Sequence, residues 1–445
     1  MGGHLPKYFG TDGVRGVANT ELTPELAFKL GQAGSTYLCR RERGAIVIGR
    51  DTRLSGPMLL GAVTAGVCAA GHDVLDLGVV PTPVVAWLTK KLGASGGVVI
   101  SASHNPAEYN GIKFFDEAGV KLSEDQEHEV EGLLDSARPE RPTGESIGTV
   151  YDRSDIVALY EEHACADFPA DVGLRVALDC SNGAAYRIAP HILERLGLSV
   201  TVINDRPDGS NINLDCGSTH IEGLAELVRS DGYDIGIALD GDADRALVVD
   251  EQGRLIDGDH MMALYAAHKR SLGELDPPVV CVTVMTNIGF DLAMREIGLE
   301  VVKTKVGDRY VLQEMLDRGA AVGGEQSGHI IFLDRNTTGD GVITAAEIMK
   351  VMHETGKPLS ELARAMTSLP QVLRNLRADG VKHIAESPDV LAVIASGQRE
   401  LGDRGRVLVR PSGTEPLIRV MVESESQEKA DRIAGTICEA IEAQI

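Results

Sequence analysis

The stretch GGVVISASHNP, residues 96–106, runs from five small or apolar residues into a polar loop. A short apolar run bounded by turn-forming residues is typical of a buried strand. This run closes a pattern that begins at Ala45: AIVIG, a helix over 57–70, DVLDLG, a helix over 84–92, and GGVVIS. The alternation of strands with helices predicts a parallel sheet.

The same order of five elements recurs twice further along the chain. The second copy comprises LRVALDC from Leu174, a helix over 184–196, LSVTVIN, a helix over 221–230 and DIGIALD. The third comprises PPVVCVTV from Pro277, a helix after Gly289, LEVVKTK, a helix over 310–318 and AAVGGE. The copies start roughly 100 to 130 residues apart, which indicates duplicated domains, because the units of a solenoid are shorter.

The C-terminal segment has a different pattern from about Pro370 onward. It comprises QVLRNLRA, a helix over 390–401, RVLVRP, LIRVMVE and a final helix over 427–443. The short connection between RVLVRP and LIRVMVE predicts antiparallel strands. We therefore expect an α/β fold: three tandem related α/β domains with mixed, mostly parallel sheets, plus a C-terminal α+β domain. The expected domains span residues 1–155, 156–256, 257–369 and 370–445.

Composition describes a folded protein with an acidic surface. The 445 residues are 43% hydrophobic and 24% charged, with a formal net charge of -23 and a pI near 4.9. This charge argues against non-specific nucleic-acid binding. It does not exclude an anionic small substrate, because a local cluster of arginines can reverse the field inside a cleft.

The seven cysteines are odd in number, and no two form a CxxC pair. They are typical of buried thiols in a reducing compartment. The N-terminus lacks an apolar core of the signal-peptide type, and Pro6 occupies the position where a myristoylation signal has Ser or Thr. The longest apolar stretch, 58–71, is too short to cross a bilayer. We expect a cytoplasmic protein.

Three polar loops follow the third strand of the three copies: SASHNP, DGDADR and GEQSGH. Loops at the carboxyl ends of parallel strands are where open α/β sheets bind ligands. Ordinary loops are polar as well. Three different polar loops at equivalent positions nevertheless predict three contributions to one shared, central cleft.

The loop DGDADR predicts a metal site. Asp240, Asp242 and Asp244 would share one face of an extended segment, and their mutual repulsion favours a bound cation. Oxygen ligands suit Mg²⁺ or Ca²⁺ and not zinc. An EF-hand is rejected, because Arg245 stands where that loop needs glycine and the flanks are strands.

Ser103 in the loop SASHNP could supply a further metal ligand once phosphorylated. Mg²⁺ held by few protein ligands completes its shell with water and phosphate oxygens. A phosphoserine brings about -1.5 to -2 charges and three strong acceptors. Serines before Asn-Pro also make local turn hydrogen bonds, so the Ser-His pair alone is weak evidence.

A second anion site is predicted at RPSGTEPLIR, which begins at Arg410. Arg410 and Arg419 flank the hydroxyls of Ser412 and Thr414, and Gly413 lets backbone N–H groups approach an oxyanion. An ordinary β-turn is the alternative, since Ser-Gly-Thr suits turns.

The loop GEQSGH suits sugar hydroxyls. It offers the carboxylate of Glu325, the hydroxyl of Ser327 and the imidazole of His329 between glycines. The alternative for His329 is a buried histidine satisfied within the fold.

The four motifs SASHNPAEYNGIK, DGDADR, GEQSGH and RPSGTEP, in that order, resemble those of the α-D-phosphohexomutase superfamily. The resemblance extends from Tyr8 into the C-terminal domain. It implies four domains, the last of which caps a central cleft. FGTDGVRG at 9–16, GEQSGH and RPSGTEP most resemble the bacterial members that act on glucosamine phosphates.

The resemblance implies a Mg²⁺-dependent phosphoserine isomerase. It would interconvert glucosamine 6-phosphate and glucosamine 1-phosphate for the synthesis of UDP-N-acetylglucosamine and peptidoglycan precursors. It implies one Mg²⁺ per chain, phosphorylation of Ser103, and glucosamine 1,6-bisphosphate as intermediate and activator.

Each site residue has a role under this resemblance. The catalytic residues are Ser103, His104, Lys113 and Arg15. The substrate-binding residues are Arg245, Glu325, Ser327, His329, Arg410, Ser412, Gly413, Thr414 and Arg419. The metal ligands are phosphorylated Ser103 with Asp240, Asp242 and Asp244. Either Lys113 or His104 could take the hydroxyl proton, and Arg15 would help to hold the phosphoserine loop.

Other functions are left open at this point. The alternatives are a phosphoglucomutase or phosphomannomutase, a non-catalytic sugar-phosphate sensor, and a phosphatase in which the serine phosphate hydrolyses. The expected partner is a hexosamine phosphate, with neither nucleic acid nor membrane. The oligomeric state is open, with a homodimer among the options.

Overall fold

A computed structural model describes residues 7–10, 12–40, 43–135, 141–378, 381–411 and 416–445.

The first sheet contains the strands expected for the first copy. The strands are β1 Val14–Val17, β2 Ala45–Arg50, β3 Asp73–Val79, β4 Gly96–Ile100, β5 Tyr109–Phe115 and β6 Val150–Asp152. The helices are α1 Pro24–Leu38, α2 Gly56–Ala69, α3 Thr82–Leu92 and α4 Glu124–Asp135. The strand order is β1-β5-β4-β2-β3-β6, and β2 pairs in parallel with β3 and β4, which confirms the expected parallel core.

Helices α1 and α2 pack closely because glycines face the partner backbone. A Cβ on Gly31 would lie 2.3 Å from Val63 O, and one on Gly66 would lie 2.1 Å from Phe28 O. Helix α1 starts where the Thr23 side chain accepts the N–H of Leu26 at 3.3 Å, as an N-cap residue does.

The second sheet repeats the arrangement. Its strands are β7 Arg175–Asp179, β8 Ser199–Ile203, β9 Ile235–Leu239, β10 Ala246–Asp250 and β11 Leu255–Ile256, in the order β11-β10-β9-β7-β8. Its helices are α5 Val157–Ala164, α6 Ile188–Arg195 and α7 Glu222–Asp231. Helix α6 starts four residues later than the expected 184, because the Ala184 N–H donates to Gly241 O at 2.8 Å and holds this segment as turns.

The third sheet has the strand order β13-β12-β14-β15. The strands are β12 Val279–Thr283, β13 Glu300–Thr304, β14 Val322–Gly324 and β15 Ile330–Phe332. The helices are α8 Gly258–Leu272, α9 Ile288–Glu296, α10 Asp308–Arg318, α11 Gly341–Thr355 and α12 Leu359–Leu362. The parallel pair β12–β14 confirms the third copy of the pattern.

In each of the three sheets, the polar loop is the connection of an antiparallel hairpin. Strand β4 pairs antiparallel with β5, β9 with β10, and β14 with β15. The sheets are therefore mixed, and each loop leaves the buried end of a parallel strand and returns beside it.

The C-terminal sheet is antiparallel throughout, as expected. Its strands are β16 Gln371–Arg377, β17 Gly405–Pro411 and β18 Leu417–Ser424, in the order β16-β18-β17. Its helices are α13 Val381–Ala385, α14 Pro388–Leu401 and α15 Gln427–Glu442. Buried Ile418, Val420 and Val422 on β18 share a core with Ile433 and Ile437 on α15, because alternate residues of a strand face one side.

The chain forms two compact units. One contains the described residues up to Met285 together with Val302–Ala363, and the other contains Thr286–Val301 and Arg364–Ile445. The four domain boundaries expected from the sequence stay a prediction. Among the described residues, no helix has the length and apolar composition needed to cross a membrane.

Five of the seven cysteines are buried, whereas Cys68 and Cys165 are half-buried, which corrects the expectation of buried thiols throughout. Burial raises the pKa of the Cys39, Cys180 and Cys438 thiols. Such thiols are protonated at neutral pH and react slowly.

Candidate active site

Ser103 lies in the hairpin connection between β4 and β5. Its φ of 51° is in the left-handed region, which is unfavourable for a residue with a Cβ. The residue is 1% exposed. Its Oγ donates to Asp240 Oδ2 at 2.8 Å and lies 3.2 Å from His104 Nδ1. The hydroxyl of the first loop thus touches a carboxylate of the second loop.

The three aspartates of DGDADR converge at the hairpin between β9 and β10. All three are buried, and each offers a carboxylate oxygen within 4.8 Å of the others. Asp242 Oδ1 and Asp244 Oδ1 are buried without a hydrogen-bond partner among the described residues. Unsatisfied, clustered carboxylate oxygens are the ligands that a hard divalent cation takes. The residues present therefore fit a metal ion.

Asp242 is oriented by two donors on its other oxygen. Lys113 Nζ donates to Asp242 Oδ2 at 2.8 Å, and Thr82 Oγ1 donates to the same oxygen at 2.6 Å. The N–H of Thr82, at the start of α3, also donates to the carbonyl of Asp242 at 2.9 Å. With Oδ2 engaged in this way, the unpartnered Oδ1 is the oxygen left for a cation.

The aspartates have opposite electrostatic environments. Burial and repulsion from Asp244 and Asp242 raise the pKa of Asp240 well above its ordinary value. Burial acts in the same direction on Asp244, but Lys113 and His329 outweigh it and hold the pKa of Asp244 well below its usual range. The cluster is thus partly neutralised by cations of the protein, and the remaining repulsion favours a bound metal.

His104 lies between the serine and an arginine. Its Nδ1 is 3.3 Å from Arg245 Nη1. Burial, followed by the charges of Arg245 and Arg15, lowers the pKa of His104 to about 4. The imidazole is therefore neutral near pH 7. The backbone N–H of Arg245 donates to Asp240 Oδ1 at 3.2 Å, which ties this arginine to the metal loop.

Asp12 connects the N-terminal motif to the site. Its Oδ2 lies 2.9 Å from Lys113 Nζ, its Oδ1 accepts from Lys121 Nζ at 2.7 Å, and Arg15 also donates to it. Lys121 pairs in turn with Asp308 at the start of α10. Arg15 is therefore placed against Asp12, whereas Arg53 and Asn213 donate to the backbone carbonyl of Ser103.

The GEQSGH loop packs beside the metal loop. The N–H of Ala246, at the start of β10, donates to Gly328 O at 3.2 Å. Glu325 accepts the N–H of Gly307 at 3.2 Å. Ser327 Oγ is buried and has no hydrogen-bond partner in the described part of the chain.

His329 is deeply buried, with 2% exposure. Its Nδ1 lies 3.6 Å from Asp244 Oδ2, and its Nε2 accepts the N–H of Gly339 at 2.9 Å. These contacts match the alternative of a histidine satisfied within the fold, so its predicted substrate contact has no support from its position.

The predicted phosphate loop lies in the C-terminal unit. Arg410 on β17 and Arg419 on β18 are directly opposite in the antiparallel register. Burial and the charge of Arg419 lower the pKa of Arg410. Adjacent like charges are unfavourable, and an anion would relieve them. Ser412, Gly413 and Thr414 lie outside the described residues.

Sequence reasoning missed several residues at the site, which include Arg53, Asn213 and Thr82 besides Asp12 and Lys121. Arg53 and Asn213 donate to the backbone carbonyls of the serine loop, and Thr82 holds Asp242. The signal for Arg53 was DTR at 51–53, directly after β2. Asn213 and Thr82 act across sheets, and no local pattern marks such contacts.

Four family models match the chain in tandem. They describe the phosphoglucomutase/phosphomannomutase α/β/α domain I over residues 6–141, domain II over 158–253, domain III over 257–369 and the C-terminal domain over 372–440.

Similar proteins match along nearly the full length. The chain is 54% identical over 437 residues to a phosphoglucosamine mutase of Pelotomaculum thermopropionicum, covering 97% of this chain and 98% of the relative. It is 52% identical over 438 residues to a phosphoglucosamine mutase of Desulforudis audaxviator, covering 97% of each. A crystal structure of a phosphoglucomutase/phosphomannomutase family protein from Burkholderia thailandensis aligns with a TM-score of 0.83, at 27% identity over 97% of both chains. The chain belongs to the phosphoglucomutase/phosphomannomutase family of the α-D-phosphohexomutase superfamily.

Proposed function

We propose that this protein interconverts glucosamine 6-phosphate and glucosamine 1-phosphate, supplying UDP-N-acetylglucosamine and peptidoglycan-precursor synthesis. The relatives named phosphoglucosamine mutase, at 52–54% identity over nearly the whole chain, support this substrate. The observation that carries the reaction type is the Ser103 hydroxyl, 2.8 Å from Asp240 in a buried carboxylate triad.

Ser103 is the residue that would carry the transferred phosphoryl group. The bond between Ser103 Oγ and phosphorus breaks as the bond from O1 of glucosamine 6-phosphate to phosphorus forms, which gives the 1,6-bisphosphate. After the sugar turns over, the 6-phosphoryl group returns to Ser103 and glucosamine 1-phosphate leaves. Phosphoryl transfer depends mainly on positioning and charge neutralisation.

Asp240, Asp242 and Asp244 would hold one Mg²⁺ together with the phosphoserine. When bound, the ion neutralises charge that develops on the transferred group. Lys113 and Arg245 place two further cations beside the triad. Lys113 Nζ is shared between Asp12 and Asp242, whereas His104 Nδ1 lies 3.2 Å from Ser103 Oγ. Because the Ser103 hydroxyl donates its single hydrogen to Asp240 Oδ2, His104 and Lys113 both stay candidates for taking the proton of the attacking hydroxyl.

Substrate contacts are assigned to the other two loops. Glu325 and Ser327 would bind sugar hydroxyls, and the orphan Oγ of Ser327 is suited to such a bond. Arg410 and Arg419, with the hydroxyls of the same loop, would grip the phosphate that does not react. We also infer a cytoplasmic enzyme, in keeping with seven cysteines that are all free thiols.

The test combines mass analysis with turnover. Purified protein is treated with glucosamine 1,6-bisphosphate, digested and mapped for phosphate, and assayed with glucosamine, glucose and mannose phosphates. We expect phosphate on Ser103 and not Ser101, preference for glucosamine phosphates, and no turnover by Ser103→Ala. Preference for glucose or mannose phosphates would reassign the substrate. Release of inorganic phosphate alone would indicate a phosphatase, and binding without any chemistry would indicate a sensor.

A further inference from the structure

The loop that carries Ser103 is held by a buried arginine that has no role in the proposed chemistry. Arg53 follows β2 and is 0% exposed. Its guanidinium donates to four carbonyl oxygens: those of Ser103 at 3.0 Å, Asn105 at 2.8 Å and Pro106 in the loop, and that of Tyr109, the first residue of β5, at 3.0 Å. One side chain thus donates to four carbonyls, of which Ser103 O and Asn105 O also accept from Asn213 and Pro106 O also accepts the N–H of Tyr109.

Asp51 fixes the orientation of this guanidinium. Its Oδ2 accepts from Arg53 Nε at 2.8 Å and from Ser101 Oγ at 2.6 Å. Ser101 Oγ accepts in turn the N–H of Ser103 at 3.0 Å. The carbonyl and the N–H of Ser103 are therefore both tied to the Asp51–Arg53 pair.

The second sheet contributes a matching contact from the opposite side. Asn213 Nδ2 donates to Ser103 O at 2.9 Å and to Asn105 O at 3.2 Å. Gly241 of the metal loop is close enough that a Cβ there would lie 2.5 Å from Ser103 O. Ser103 is thus fixed in its left-handed conformation by contacts from both sheets.

We propose that Arg53 is a positioning residue for phosphoryl transfer: with Asn213, it holds Ser103 in the left-handed conformation that aims Oγ at the metal site. The inference rests on the proposed function. All five N–H donors of the Arg53 guanidinium are engaged by four carbonyls and Asp51. Arg53 is therefore not a phosphate ligand. A lysine cannot replace it, because an ammonium lacks the planar fork that spans these carbonyls.

The test compares Arg53→Met and Arg53→Lys with a matched control, Arg335→Met. Arg335 is also mostly buried and donates to backbone carbonyls, those of Ala166, His163 and Ala164, but it lies away from Ser103. For each protein we would measure urea unfolding, Mn²⁺ affinity and the rate at which glucosamine 1,6-bisphosphate phosphorylates Ser103. The rate is obtained by quenching samples at intervals and measuring the intact mass of the protein. Steady-state kcat and KM complete the set.

We expect both Arg53 variants to phosphorylate Ser103 roughly 100-fold more slowly, the effect of a displacement of about 1 Å at a reacting group. The loss should fall on kcat, with KM and Mn²⁺ affinity close to wild type. Arg335→Met should lose stability but keep the wild-type rate. Wild-type rates in the Arg53 variants, or equal slowing in Arg335→Met, would overturn the proposal.

Asn213→Asp keeps the proposal testable if the Arg53 variants do not fold. It preserves size and tolerance of the left-handed φ of 58°, but it replaces the amide donor by a carboxylate that repels the Ser103 carbonyl. Slow phosphorylation of a folded variant is expected, and a wild-type rate would contradict the proposal. If the wild-type protein never acquires phosphate on Ser103, the proposed function itself fails, and that outcome is distinct from these.

Discussion

Ser103 shows how much of the site depends on single side chains. The residue occupies a backbone conformation that costs of order 1–3 kcal/mol and persists only where its surroundings impose it. The resemblance carried by the four motifs selected this serine, but the contacts that impose its conformation come from residues distant in sequence. Sequence reasoning named candidate reactive groups and missed the residues that position them.

Thr82 provides a test of metal positioning at the residue scale. Thr82→Val removes the donor to Asp242 Oδ2 and leaves the shape of the side chain nearly unchanged. Because groups that orient metal ligands commonly contribute 10- to 100-fold in affinity, we expect Mn²⁺ binding to weaken by about 10-fold or more. Electron paramagnetic resonance titration of free Mn²⁺ measures this without turnover.

Thr89→Val is the control on the same helix. Thr89 is equally buried, and its Oγ1 donates to the Val85 carbonyl at 2.7 Å. Both variants should lose about 1 kcal/mol of stability with the hydrogen bond, but Thr89→Val should keep wild-type Mn²⁺ affinity. Equal metal affinity in the two variants would show that Thr82 does not orient Asp242 for metal binding.

At the scale of elements, periodicity predicted the parallel strands and the helices between them, but it did not predict α1, α4, α8 and α11. It gave the three strand–helix repeats, because fully buried strands such as β4 and β9 are continuous apolar runs. Periodicity did not predict β1 or the return strand β5. Their residues lie in the motifs FGTDGVRG and SASHNPAEYNGIK, which were interpreted as functional motifs and not as strands. It also placed the start of α6 too early, because the docking of Ala184 on Gly241 is a tertiary contact with no local signal.

Gly241 tests the contact between the first two hairpins. A Cβ there would lie 2.5 Å from Ser103 O and 2.8 Å from Asn213 Nδ2, so Gly241→Ala must push the serine loop away from the metal loop. We expect activity to fall by roughly 100-fold, as a displacement of about 1 Å would cause. Steady-state assays of glucosamine 6-phosphate turnover measure the loss.

Gly223→Ala is the matched control for this prediction. Gly223 lies in the first turn of α7, and a Cβ there meets nothing within 4 Å. The substitution should leave activity unchanged and add up to about 1 kcal/mol of stability, because alanine favours the helix. Full activity in Gly241→Ala would show that the close approach has no role in catalysis.

At the scale of the molecule, a buried ion pair joins two helices that lie far apart in sequence. Arg309 on α10 donates through both Nη groups to Glu127 on α4, at 2.8 and 3.0 Å. The two side chains are only 10% and 9% exposed. Removing one member of such a pair lowers the stability of the fold, because the other member is left as a buried charge without its partner.

The pair gives a prediction about stability. Arg309→Met should lower the free energy of unfolding by about 3 kcal/mol, whereas Glu127→Met with Arg309→Met should restore most of it. Arg318→Met, which removes an exposed pair with Glu314 on the same helix, should change stability by less than about 1 kcal/mol. Urea denaturation measures all three. A double variant as unstable as the single one would show that packing, and not the unpaired carboxylate, accounts for the loss.

The most direct test of the central claim follows the phosphoryl group in a single turnover. Protein phosphorylated on Ser103 is mixed with glucosamine 6-phosphate and Mg²⁺, quenched at intervals, and analysed for phosphate on the Ser103 peptide and on the sugar. We predict that phosphate leaves Ser103 as glucosamine 1,6-bisphosphate forms, at least as fast as steady-state turnover. Phosphate that stays on Ser103 during turnover, or that leaves only as inorganic phosphate, would contradict it.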